Sequence, residues 1–107
     1  MDYRLKKEKD FQLVFNKGKR VYSKNLTLIY LEQKELKVGF AISKKHGGSV
    51  QRNRIKRLLR ESFRSFMPDL AQNFFFVFIP KVSSSYDFFV FKDEMKVLLS
   101  KIKVLDK

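Results

Sequence analysis

His46 is the only histidine of this 107-residue chain, and cysteine is absent. A metal held on that ring would need Asp or Glu partners at ligand spacing, and none lies near it in sequence. The acids Asp10, Glu61, Asp69, Asp87, Asp93 and Glu94 form no spaced pair like the carboxylates of a metal-dependent nuclease. Glu61 follows Arg57 by four residues and precedes Arg64 by three, which predicts an intrahelical ion pair instead. Gly47 and Gly48 are not followed by Lys-Ser/Thr at the spacing of a phosphate loop. The residues therefore predict no catalytic and no metal-ligating side chain, and His46 reads as a structural loop residue.

The groups that can do chemistry are cations. There are 24 Lys and Arg against 11 Asp and Glu, a formal charge of +13, so the expected partner is a polyanion. The excess is concentrated. Residues 44–64 carry eight Lys/Arg (Lys44, Lys45, Arg52, Arg54, Lys56, Arg57, Arg60, Arg64) and one acid, while residues 68–94 carry two Lys and four acids. A block of that density predicts a docking face rather than a merely solvated surface. In KKHGGSVQRNRIKRLLRESFR a basic loop leads into a helix N-terminus whose free amides favour anions, followed by arginines whose planar forks grip phosphate oxygens in pairs. The arginine bias suits a folded RNA, although composition alone fits DNA as well. A helix-turn-helix needs a helix before this one, and the preceding segment reads as a strand.

A second feature is aromatic. Phe11 and Phe15 are one helical turn apart, among Lys7, Lys9, Lys17 and Lys19. Rings framed by lysines suit a single-stranded nucleic acid, with bases stacked and backbone neutralised. The same spacing is that of an ordinary core pair, so both readings stand at this point.

These residues need a frame. With 44% hydrophobic residues, twelve of them Phe, the chain can build a core, and its length predicts one domain over residues 1–107. The lack of cysteine suits a reducing compartment, and no apolar run approaches the ~20 residues of a membrane span. MDYRLKKEKDF has no apolar signal core, so the expected location is the cytoplasm. Phe11, Val14 and Phe15 place one face of a helix over 7–17, with Gly18 expected to end it in a left-handed conformation. Residues 20–32 read as strand, with a bend or break around Ser23–Asn25. Residues 37–43 read as a second strand, and the short polar span Gln33–Leu36 predicts a hairpin between the two. Lys44–Ser49 is a loop with Ser49 as N-cap.

Over 50–66, Ile55, Leu58, Leu59, Ser62, Phe63 and Phe66 share one helical face, with Asn53, Arg57, Arg60 and Arg64 opposite and Arg52, Arg54 and Lys56 on the flanks. Pro68 closes the segment. FFFVFIP (74–80) is apolar on both faces and predicts a strand covered on both sides. Ser83–Ser85 would cap a last helix over 86–103, striped by Phe88, Phe91, Met95, Leu98, Leu99 and Ile102. The class is α+β.

At residues 43–61 the pattern becomes specific. SKKHGGSVQRNRIKRLLRE resembles the signature of the bacterial ribonuclease P protein family, in which a Lys-rich loop with Gly enters an Arg-Asn-Arg helix. DFQLVFNKGKRV resembles the family's first helix and its exit, and KVGFAISKK the strand before the signature, so the likeness spans nearly the whole chain. The resemblance implies an α/β sandwich of order α-β-β-β-α-β-α, with a mostly antiparallel sheet and a left-handed β-α-β crossover. It also implies a function. The family's RNA subunit is the catalyst, which removes the 5′ leader from precursor tRNA with Mg²⁺. The protein is an auxiliary subunit that binds no cofactor alone, assists cleavage and broadens substrate range.

Carried onto this chain, the RNA-subunit contacts are Lys44, Lys45, Arg52, Asn53, Arg54, Lys56, Arg57, Arg60 and Arg64. The leader would lie in a cleft at Phe11 and Phe15, with Lys9, Lys17 and Tyr30 beside them, so the resemblance favours partial exposure of the two rings. A further cleft aromatic of some members falls at Ile29 here, which leaves adjacent Tyr30, expected on the other sheet face, or Tyr22 to replace it. His46 stands where an aliphatic residue is common and would add a pH-sensitive phosphate contact. A long basic N-terminal extension is absent. The expected partners are the catalytic RNA and precursor tRNA, with no membrane or protein partner and a monomeric free protein. Two other classes compete: a general basic RNA-binding protein, ribosomal or chaperone-like, and a nuclease that cleaves without an RNA subunit.

Overall fold

The computed structural model describes residues 3–105. Its elements are α1 (Glu8–Lys17), β1 (Lys19–Tyr22), β2 (Leu26–Glu32), β3 (Lys37–Phe40), α2 (Ser49–Arg64), β4 (Phe74–Pro80) and α3 (Phe88–Lys101), in the expected order. Single turns of 3-10 helix at Lys44–His46 and Met67–Asp69 flank α2. The long β-rich stretch does break at Ser23–Asn25, where Ser23 donates from its amide and its hydroxyl to Leu26 O.

The sheet order is β1-β2-β4-β3, with β1/β2 and β2/β4 antiparallel and β3/β4 parallel. The expected hairpin between β2 and β3 is therefore absent, because β4 lies between them. Burial decides this arrangement. FFFVFIP is apolar on both faces, and only a central strand with helices above and below can hide both. The four-residue β3 goes to the edge, and its parallel pairing with β4 requires a crossover, which α2 supplies. Beyond β2 the chain turns toward the start of β4, where Gln33 N donates to Asn73 O at 3.2 Å.

Alternation along β4 sorts the core into two layers. Phe75 and Val77 join Ile29, Leu5 and Val14 under α1. Phe74, Phe76 and Phe78 join Leu26, Leu28 and Val38 against Ile55, Leu59 and Phe63 of α2 and Phe91, Met95, Leu98 and Leu99 of α3. Each such side chain contributes roughly 1.5–3 kcal/mol on burial. The outer edge of β3 is covered by the N-terminal residues: Val38 N donates to Tyr3 O and Leu5 N to Val38 O, both at 2.8 Å.

Several local expectations change for physical reasons. Gly18 has φ −74° and ψ 160°, an extended conformation rather than a left-handed one. It is close approach that requires glycine there, since a Cβ would stand 2.5 Å from Val14 O and 2.8 Å from Ile29 Cγ2. Gly48 is the N-cap of α2 and Ser49 its first residue, leaving the helix start without a side-chain cap among the described residues. Asp87, not Ser83–Ser85, caps α3 by accepting from the amides of Phe89 and Val90. The serine turn is held instead by buried Tyr86, whose hydroxyl accepts from Ser83 N at 2.9 Å. Glu61 is exposed and, among the described residues, makes no ion pair with Arg57 or Arg64.

Candidate nucleic-acid interface

Helix α1 is seated on the sheet by Val14, which is fully buried, and by the close contact at Gly18. That seating leaves a groove of about 420 Å³ between one flank of α1 and the end of the sheet. Phe11 and Phe15 form one wall, Ile79 and Ala41 the floor, and Ile42, Ser43 and His46 the other wall. The two rings lie 6.5 Å apart at 27°, stacked, and both are half-buried. The structure thus brings together the pair singled out in the sequence, and gives each ring one packed side and one side open to the groove.

The other expected cleft residues lie elsewhere. At 3.6 residues per turn, Lys9 and Lys17 sit about 160° around the helix from Phe11 and Phe15 respectively, on the solvent face. Both are exposed. Tyr30 points to the opposite side of the sheet, edge-on to Phe74 at 5.9 Å in the α2/α3 layer. Tyr22 pairs with Thr27, one step from the Val21–Leu28 pair that faces that layer, so it lies on the α1 side and is 58% exposed, outside the groove lining. Ile29 is completely buried under α1. The acid at the groove rim, Glu8, accepts from Gln12 Nε2 at 3.0 Å.

His46 is not a surface phosphate contact. It is only 8% exposed, with Nε2 2.7 Å from Pro80 O and Nδ1 3.1 Å from Ser43 N. The Pro80 carbonyl can only accept, so Nε2–H donates to it, and Nδ1 accepts from the Ser43 amide. The ring ties the 3-10 turn to the end of β4, and the same turn carries the exposed Lys44 and Lys45. One turn of chain thus closes the groove and opens the basic helix.

Along α2, Asn53, Arg54, Arg57 and Arg64 are exposed, and Arg52, Lys56 and Arg60 are half-buried. The buried stripe beneath them (Ile55, Leu59, Ser62, Phe63) holds the helix on the sheet. The Nε groups of Arg52 and Arg60 are buried and have no hydrogen-bond acceptor among the described residues. Their guanidinium forks are packed in place with donors to spare, a state suited to a multivalent anion. Among the described residues no group of three or more His, Asp or Glu could hold a metal ion, so none is assigned to Mg²⁺. No described helix is long and apolar enough to cross a membrane.

Sequence reasoning missed the groove floor and Gly39. Phe11 lies against Gly39, where a Cβ would stand 2.6 Å from its Cζ. A lone glycine inside a strand pattern is the available signal for such a close approach.

An aromatic groove and an arginine-rich crossover helix, joined by one lysine turn, define a small basic α+β protein. Known proteins narrow that class. The ribonuclease P family profile matches residues 1–103. A ribonuclease P protein component from Exiguobacterium is 34% identical over 108 residues, covering 99% of this chain and 95% of the relative. One from Caldanaerobacter subterraneus is 35% identical over 107 residues, covering 97% and 92%. Among solved structures, the RNase P protein of Staphylococcus aureus superposes with a TM-score of 0.86 at 27% identity, covering 98% of this chain and 99% of that one. The RNase P protein of Thermotoga maritima gives 0.83 at 26%, covering 94% and 97%. With likeness running from end to end in both sequence and fold, the chain belongs to the ribonuclease P protein family.

Proposed function

We propose that the chain acts, as one domain over residues 1–107, as the protein subunit of a ribonuclease P that matures the 5′ ends of tRNAs. The RNA subunit performs the cleavage with Mg²⁺. The protein anchors to it through Lys44, Lys45, Arg52, Asn53, Arg54, Lys56, Arg57, Arg60 and Arg64. The precursor's single-stranded leader enters the groove beside Phe11 and Phe15, which raises affinity for precursors, broadens the substrate range and lowers the Mg²⁺ requirement. Lys9 and Lys17 then contribute through the general field of α1 rather than by lining the groove.

The observation that carries this reading is the half-burial of the Phe11/Phe15 pair over an open groove, one turn of chain away from a helix with exposed arginines. A general RNA-binding protein needs the basic helix but not the groove. The double variant Arg57→Ala/Arg60→Ala tests the anchor: RNA-subunit affinity in moderate salt falls and its salt dependence flattens. Unchanged affinity would contradict the anchor assignment.

A further inference from the structure

A second groove, of about 620 Å³, lies on the other side of the β3 edge. The N-terminal residues that pair with β3 form one bank, and the C-terminal half of α2 forms the other. Tyr3 and Phe40 supply aromatic surface, Val38 and Met67 apolar walls, and Arg60 and Arg64 the charge. No acid is among the described residues that line it.

Three features make this more than a surface dent. Tyr3 is half-buried and its backbone is fixed, its carbonyl accepting from Val38 N at 2.8 Å. Arg60 and Arg64 are four residues apart on one helix face, continuing the row of Asn53 and Arg57. Arg60 Nε is buried without an acceptor among the described residues, and leaving a charged donor unpaired there is costly. A concavity of this size with aromatic walls and convergent donors suits one nucleotide, with a flat ring for the base and a guanidinium fork for the phosphate.

We propose that this groove binds one unpaired nucleotide of the catalytic RNA subunit, its base against Tyr3 and its phosphate on Arg60 and Arg64. The inference rests on the docking reading above and adds base stacking to a contact otherwise made of charge. The RNA subunit is the occupant because the groove opens off the arginine row of α2. The leader groove lies on the α1 side of the sheet.

The test measures affinity of the protein for the RNA subunit, without precursor tRNA, at several salt concentrations. Tyr3→Ala weakens binding about tenfold with an unchanged salt slope, since stacking is lost and no phosphate contact is. Tyr3→Phe keeps the affinity. Arg54→Ala, outside the groove, is the control for the docking reading. If it weakens binding while Tyr3→Ala does not, the groove proposal is overturned and the docking reading stands; if neither variant weakens binding, both fall. The holoenzyme carrying p-azidophenylalanine in place of Tyr3 gives a second readout that needs no truncation of the ring. Photo-crosslinking to one unpaired position of the RNA subunit supports the proposal. Crosslinking only to the leader of added precursor, or to no RNA, overturns it.

Discussion

The Phe11 ring occupies the space that a side chain on Gly39 would fill, with Cζ 2.6 Å and Cε1 2.7 Å from the position of a Cβ there. A missing side chain in the edge strand is thus what lets the first aromatic of the groove approach the sheet so closely. Gly39→Ala must displace either the ring or the strand, and overpacking of this kind costs about 1–3 kcal/mol. Thermal melts should show that loss, together with weaker binding of precursor tRNA by the reconstituted holoenzyme. Adding Phe11→Ala should make the second alanine cost less than it does alone, since the two residues share one space. Strict additivity would mean that the contact does not position Phe11.

Phe15→Ala separates the two roles of the ring. If a leader base stacks on it, precursor binding by the holoenzyme weakens by about 1–3 kcal/mol while mature tRNA binding holds. Equal loss for both substrates, measured by competition titration, would return Phe15 to a packing role.

His46→Ala leaves Pro80 O and Ser43 N without their ring partners. A loss of about 1–3 kcal/mol is expected for stranding such groups, seen as a lower urea midpoint. RNA-subunit affinity should fall along with it, because the turn bearing Lys44 and Lys45 loses its tie to β4. A drop in affinity with unchanged stability would instead point to direct phosphate contact.

Glu94 joins α3 to the β1–β2 turn, accepting from Ser23 Oγ, from Asn25 N at 2.7 Å and from Asn25 Nδ2 at 2.6 Å. Burial raises its pKa, but the hydrogen bonds from Ser23 and Asn25 and the charge of Lys24 outweigh that, holding it below the ordinary 4.5. A carboxylate depressed in the folded state stabilises the fold above its unfolded pKa, and that stability is lost as pH falls through the folded value. Glu94→Gln should therefore cost about 1–2 kcal/mol at neutral pH. It should also flatten the decline in stability below pH ~4.5. An identical acid profile in the variant would show that other carboxylates set it.

What the sequence made legible follows from periodicity and charge. The α2 stripe of Ile55, Leu59 and Phe63 and the two-faced burial of β4 are local patterns with a single packing solution. The basic block was legible for the same reason, whereas the partial exposure of Phe11 and Phe15 was implied only by the family resemblance, since their spacing is also that of a core pair. Long-range choices were not. The pairing of β2 with β4 rather than β3 depends on which strand most needs cover, and adjacency in sequence misleads there. Gly39 is set by Phe11 and Gly18 partly by Ile29, residues of other elements, so a glycine in the pattern can signal a close approach but cannot say what approaches. His46 looked partnerless because its acceptor, Pro80 O, lies 34 residues away.

As the proposed subunit of ribonuclease P, the protein turns an RNA catalyst into an efficient processor of precursor tRNA. The most direct measurement is cleavage of a precursor tRNA at low Mg²⁺ by the protein alone, by a bacterial RNA subunit alone, and by the two together. Cleavage at the mature 5′ end only when both are present is the predicted result. Cleavage by the protein alone, or no gain on adding protein that still binds the RNA, would contradict the account.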